Sequence, residues 1–173
     1  MEKVVAFIGD SQIAYGNWNE LLNRTDILNF GRAGDLTADV LARLDDLNPY
    51  FFSKIFIEVG TNDLSVGVTQ RQIIHHYTLL IDKLREQHQD VEIFINSILP
   101  VQDLPNEFYQ NSEILALNRA LREHCKEKQV YFVDLSSAFT DDLGNLSASL
   151  TADGLHLNED GYKIWASILQ SYL

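Results

Sequence analysis

The chain alternates between short, uninterrupted apolar runs and longer stretches whose apolar residues recur every three or four positions. Val4-Val5-Ala6-Phe7-Ile8, Ile55-Phe56-Ile57 with Val59, Val91 to Ile95 and Val130-Tyr131-Phe132-Val133 are of the first kind, and Ile27-Leu28-Asn29-Phe30 is a weaker fifth. Runs without polar alternation suit strands covered on both faces, as in a parallel sheet. Ile73, Tyr77, Leu80 and Leu84 stand at helical spacing, as do Ile114, Leu117, Leu121 and Cys125. Thr37 reads as the N-cap of a helix over Ala38 to Leu47, which ends near Pro49. A last helix runs from about Asp160 through Tyr162, Ile164, Trp165 and Ile168. Strand then helix, five times over, predicts an α/β fold: a doubly wound sheet of five parallel strands with helices on both faces. Such sheets bind ligands beyond the carboxyl ends of their strands, so the segments that follow the strands are the place to look for chemistry.

Four segments stand out there. Gly9-Asp10-Ser11-Gln12 follows the first strand and can present Ser11 as a nucleophile at the sheet edge. Gly31-Arg32-Ala33-Gly34-Asp35 follows the second, with glycines that permit close backbone approach to a ligand. Gly60-Thr61-Asn62-Asp63 follows the third, where Asn62 can offer an amide donor. Asp153-Gly154-Leu155-His156 precedes the last helix, and its spacing lets the carboxylate reach the imidazole. Taken singly, each is also an ordinary cap, turn or solvated loop. Taken together they supply the parts of an ester-cleaving site: Ser11 as nucleophile, His156 as base and Asp153 as its orienter. The Ser11 amide, the Gly34 amide and the Asn62 side chain form the oxyanion hole.

Composition narrows the remaining classes. The 173 residues are 46% hydrophobic and 22% charged, which is the balance of one globular domain. The 13 basic and 25 acidic side chains give a net charge of -12, which argues against nucleic acid and membrane surfaces as partners. Cys125 is the one cysteine, so an internal disulfide and a multi-cysteine zinc site are excluded, and its helical register makes it a core residue. His75 and His76 are expected to face solvent. Neither they nor His88 and His124 have a second ligand at metal spacing, so no metal site is expected. Val4 to Ile8 is too short for a signal-peptide core, and no window approaches the roughly 20 apolar residues of a membrane span. A cytoplasmic protein is therefore expected. Oligomeric state is not readable, which leaves a homodimer open.

From Gly9 to His156 the sequence resembles the SGNH, or GDSL-type, hydrolase family, including its platelet-activating-factor acetylhydrolase-like members. Gly9-Asp10-Ser11-Gln12 is similar to the family's nucleophile block, with Gln12 in place of the commonest leucine. Asn29 to Thr37 resembles its glycine block, Gly60-Thr61-Asn62-Asp63 its GTND-type block, and Asp153-Gly154-Leu155-His156 its DxxH block. The resemblance implies a single flavodoxin-like hydrolase domain over residues 1–173. It also implies cleavage of esters or thioesters without cofactor or metal, through an acyl-enzyme on Ser11. Asp10 is expected to shape its turn and Asp63 to brace its loop. With no insertion long enough to form a lid, a shallow pocket for short acyl or acetyl groups is expected, on a carbohydrate, lipid or small molecule. Tyr15, Trp18, Phe108 and Tyr109 are candidates to line it or to pack in the core, and Pro100 to Ser112 is the candidate loop for substrate contacts. The rival reading is a flavodoxin-like module that binds phosphate or flavin at Gly9 to Gln12, which leaves Asp153 and His156 unexplained.

Overall fold

The computed structural model describes residues 3–102 and 109–173. Its five strands are β1 (Val4–Gly9), β2 (Ile27–Gly31), β3 (Phe52–Glu58), β4 (Glu92–Asn96) and β5 (Tyr131–Val133), all parallel and ordered β2-β1-β3-β4-β5. After β1 come α1 (Ser11–Ala14) and α2 (Trp18–Leu21), and after β2 comes α3 (Thr37–Ala42). After β3 come α4 (Thr61–Ser65) and α5 (Gln70–Gln87), after β4 comes α6 (Asn111–Lys128), and after β5 come α7 (Ser136–Phe139) and α8 (Glu159–Leu169). This is the doubly wound parallel sheet that the repeated strand-helix pattern predicts.

The pleat sends alternate residues to opposite faces. Ala6, Ile8, Ile55, Ile57, Ile93 and Ile95 pack on one side against α3, α5 and α6. Val5, Phe7, Phe56 and Phe94 pack on the other against α2, α7 and α8. The second core is aromatic at its centre: Trp18 lies 4.8 Å from Phe7, 5.0 Å from Trp165 and 5.7 Å from Tyr162, each edge-on. Edge-to-face pairs add about 0.5–1.5 kcal/mol each beyond the burial of area. Trp18 is thus a core residue and not a pocket wall; its indole Nε1 donates to the Ile13 carbonyl at 2.8 Å.

The helix expected over Ala38 to Leu47 is broken in two. α3 ends at Ala42 and a 3-10 turn, Leu44–Leu47, follows. Thr37 is not its cap: Leu36 holds that position and its amide donates to Asp39 Oδ2 at 2.9 Å. Thr37 is buried instead, because a tertiary partner claims it. No helix among the described residues is long and apolar enough to cross a membrane.

The register sets Gly9 of β1 beside Gly31 of β2 and Glu58 of β3. The three connections that leave these strands therefore start from one edge of the sheet.

Candidate active site

β1 and β3 approach so closely at their ends that a Cβ on Gly9 would lie 1.9 Å from the Glu58 carbonyl oxygen. The chain then turns sharply. Asp10 caps α1, its Oδ1 accepting from the Gln12 amide at 3.0 Å, and Ser11 opens the helix half-buried at the sheet edge. The loop ahead of α8 is wound around Asp153, whose Oδ1 accepts from the amides of Leu155 (2.9 Å) and His156 (2.7 Å). The other oxygen, Oδ2, faces His156 Nδ1 at 2.7 Å. Thr151 Oγ1 steadies the same loop, accepting from the Gly154 amide and donating to the His156 carbonyl.

Ser11 Oγ lies 3.1 Å from His156 Nε2. Partial burial raises the Asp153 carboxyl, but the imidazole and the two loop amides outweigh it and hold the group at about 2. Asp153 is therefore ionised at neutral pH and can only accept, so Nδ1 carries the proton and Nε2 presents its lone pair to the Ser11 hydroxyl. Serine, imidazole and carboxylate stand in line, an arrangement that can supply a nucleophile, a general base and an orienter.

Gln12 has a use that the sequence pattern did not reveal. Its Nε2 donates to the Leu155 carbonyl at 2.8 Å, and its own carbonyl accepts from the Tyr162 hydroxyl at 2.8 Å. The residue after the serine thus ties the nucleophile turn to the histidine loop and to α8. A leucine would keep the main-chain bond from Tyr162 but could not make the one to Leu155.

In the connection from β2 to α3, Gly34 holds φ +86°, and a Cβ there would meet nothing within 4 Å. The glycine answers a backbone requirement, and the space above it is open to a ligand. Asn62 Nδ2 donates to the Asp35 carbonyl at 3.1 Å, which uses one amide hydrogen and leaves the second. Asp63, within α4, is buried and takes both polar groups of Thr37, the amide at 2.9 Å and the hydroxyl at 2.5 Å. It braces the neighbouring connection as well as its own. His76 does not face solvent as expected. It is half-buried, 2.7 Å from the Thr37 hydroxyl, and its Nδ1 is the donor because that hydroxyl's hydrogen goes to Asp63. His75 is exposed.

Two acids lie below the nucleophile turn. Glu58 is fully buried with neither carboxylate oxygen paired, and Asp10 Oδ2 is likewise buried without a partner. Burial drives Glu58 well above its ordinary value, helped by the charge of Asp10. Burial also lifts Asp10 to about 7 against the opposing pull of the Gln12 amide.

Beside His156 the Tyr15 ring stands 5.4 Å away and 58% exposed. It borders an open cavity of about 770 Å³ walled also by Asn17, Glu20, Leu157, Asn158 and Lys163. Tyr109 packs partly buried against the first core, and Phe108 lies outside the described residues, as do residues 103–107 of the loop expected to touch substrate.

Comparison with known proteins identifies relatives of the chain. The chain is 30% identical over 180 residues to platelet-activating factor acetylhydrolase IB subunit alpha1 of Homo sapiens, covering 99% of this chain and 76% of that protein. It is 26% identical over 145 residues to N-acylneuraminate cytidylyltransferase of Streptococcus agalactiae, covering 84% of this chain; the chain spans about a third of that relative's length (34%). A solved structure from Streptococcus pneumonia, whose description names platelet activating factor, superimposes with a TM-score of 0.91 at 31% identity, covering 99% of this chain and 84% of that one. Residues 7–164 match the family model for GDSL-like lipase/acylhydrolase proteins. The chain belongs to the GDSL-like lipase/acylhydrolase family.

Proposed function

We propose that the chain is a serine acylhydrolase that cleaves short-chain carboxylic esters, acetyl esters foremost, through an acyl-enzyme on Ser11. The observation that carries this is the continuous line from Ser11 Oγ to His156 Nε2 (3.1 Å) and from His156 Nδ1 to Asp153 Oδ2 (2.7 Å). In the first half-reaction Oγ bonds to the acyl carbon as its proton passes to Nε2. The carbonyl oxygen gathers negative charge at the Ser11 and Gly34 amides and the free hydrogen of Asn62 Nδ2. Collapse of the tetrahedral species breaks the bond to the alcohol oxygen, which takes the proton from Nε2. Water then repeats the sequence against the acyl-enzyme and releases the acid and Ser11. Asp153 stays ionised throughout and stabilises the imidazolium.

The acetyl preference is supported by the relative named an acetylhydrolase, and the open cavity of mixed lining beside Tyr15 offers room next to His156. The proposal treats residues 1–173 as one catalytic domain and places it in the cytoplasm, a setting that suits the buried free thiol of Cys125. A phosphate- or flavin-binding role is not favoured. An anion approaching the start of α1 would meet Asp10, and that role has no use for the Asp153–His156 pair.

The test is turnover of p-nitrophenyl acetate and longer-chain homologues by wild type and Ser11→Ala, with fluorophosphonate labelling of both. Turnover that declines with chain length, and labelling that disappears in the variant, are expected. Equal rates in the two proteins with no labelling of Ser11 would remove the serine-hydrolase reading.

A further inference from the structure

We propose that Arg43 is a positioning residue that holds the oxyanion side of the site in register with the nucleophile turn, an inference that rests on the serine-hydrolase reading above. Arg43 follows α3 and its side chain is only 9% exposed. Its Nε donates to Asp35 Oδ2 at 2.6 Å, and its Nη2 donates to the Gly9 carbonyl at 3.2 Å. One planar guanidinium thus spans the β2–α3 connection and the end of β1. Asp35 passes the constraint on: its carboxylate is held by Arg43, while its carbonyl accepts from Asn62 Nδ2. Gly34 is the residue before Asp35, and Ser11 is two residues after Gly9. The Gly34 amide, the Asn62 amide and the Ser11 turn therefore share a single anchor.

Exposure and geometry set this contact apart from an ordinary surface pair. Arg32 and Asp46 also meet, at 2.7 Å, but they are 59% and 47% exposed, where such a pair contributes little. Arg43 and Asp35 are 9% and 15% exposed. A lysine in place of Arg43 keeps the charge but is a point donor and cannot grip both acceptors in a fixed fork. Arg43 has no reach to the acyl carbon in this scheme; it acts through Asp35.

The experiment is a double-mutant cycle in p-nitrophenyl acetate turnover. Arg43→Lys is made alone and in an Asn62→Ala background, with Asp35→Asn as an independent break of the same contact. Thermal melting confirms that each variant folds. Arg43→Lys is expected to lower kcat about 10²-fold with KM changed by less than about twofold, the signature of a donor moved out of place. In the Asn62→Ala background the same substitution is expected to cost several-fold less, because its main target is gone. Asp35→Asn, which keeps the carbonyl that accepts from Asn62, is expected to behave like Arg43→Lys. Unchanged kcat in Arg43→Lys, or an equal fold-loss in both backgrounds, overturns the proposal. Ser11→Ala in the same assay keeps the two readings apart: full turnover there overturns the serine mechanism itself, whatever Arg43 does.

Discussion

Replacing Asp10 with Asn separates the cost of a buried acid from the shape of the turn it caps. Asp10 is 1% exposed, with one oxygen on the Gln12 amide and the other unpaired. Asparagine offers the same acceptor and cannot ionise. Burial, only partly offset by the Gln12 amide, lifts the carboxyl from 3.8 to about 7. In the interval between these values the folded protein retains a proton that the unfolded chain has released. The contribution of this group to stability is complete below the unfolded value of 3.8 and falls as pH rises to about 7. The loss is at most about 1.36 kcal/mol per pH unit, or about 4 kcal/mol over the interval. Urea denaturation from about pH 4 to 8, read as the difference between Asp10→Asn and wild type, cancels the groups that titrate alike in both. The variant is expected to gain on wild type by about 2–4 kcal/mol across that range. A difference that stays flat, or shrinks as pH rises, would refute the argument.

Asn62→Ala removes one oxyanion donor and is expected to lower kcat roughly 10²–10³-fold, measured with p-nitrophenyl acetate; an unchanged kcat would remove Asn62 from the oxyanion hole. Trp18→Ala empties the centre of the second core and removes one bond to the Ile13 carbonyl, which keeps the one from Asn29 Nδ2. It is expected to cost about 3–5 kcal/mol in urea denaturation, whereas a loss under about 1 kcal/mol would show that the aromatic cluster collapses to fill the space.

The central strands β1, β3 and β4 were legible because they are buried on both faces, whereas the edge strands β2 and β5 are partly exposed; each apolar run still lies where a strand forms. The strand ends were not legible. β3 begins at Phe52, ahead of the Ile55 run, because the half-buried Ser53 and Lys54 lie near its open end, where Lys54 reaches the Tyr172 carbonyl and Glu92. α5 and α6 carry enough turns to show their period, whereas α1, α2, α4 and α7, of four or five residues, do not. Thr37 misled because a hydroxyl before an apolar stretch is good capping chemistry, and only the fold brings Asp63 to it. The five candidate site residues, Ser11, Gly34, Asn62, Asp153 and His156, stood out because glycine, serine, asparagine and the Asp-x-x-His spacing carry local chemistry. Gln12, Arg43 and Glu58 did not, since a polar side chain turned inward looks in sequence like one turned outward.

Ser11 and His156 are separated by 145 positions. A ribosome adding about 5–20 residues per second makes Ser11 roughly 7–30 s before His156, its proposed base. Over that interval the nascent chain holds a serine with no partner, so its acyl chemistry cannot begin while β3, β4 and β5 are still being added. Activity of the proposed kind waits for the loop that carries Asp153 and His156.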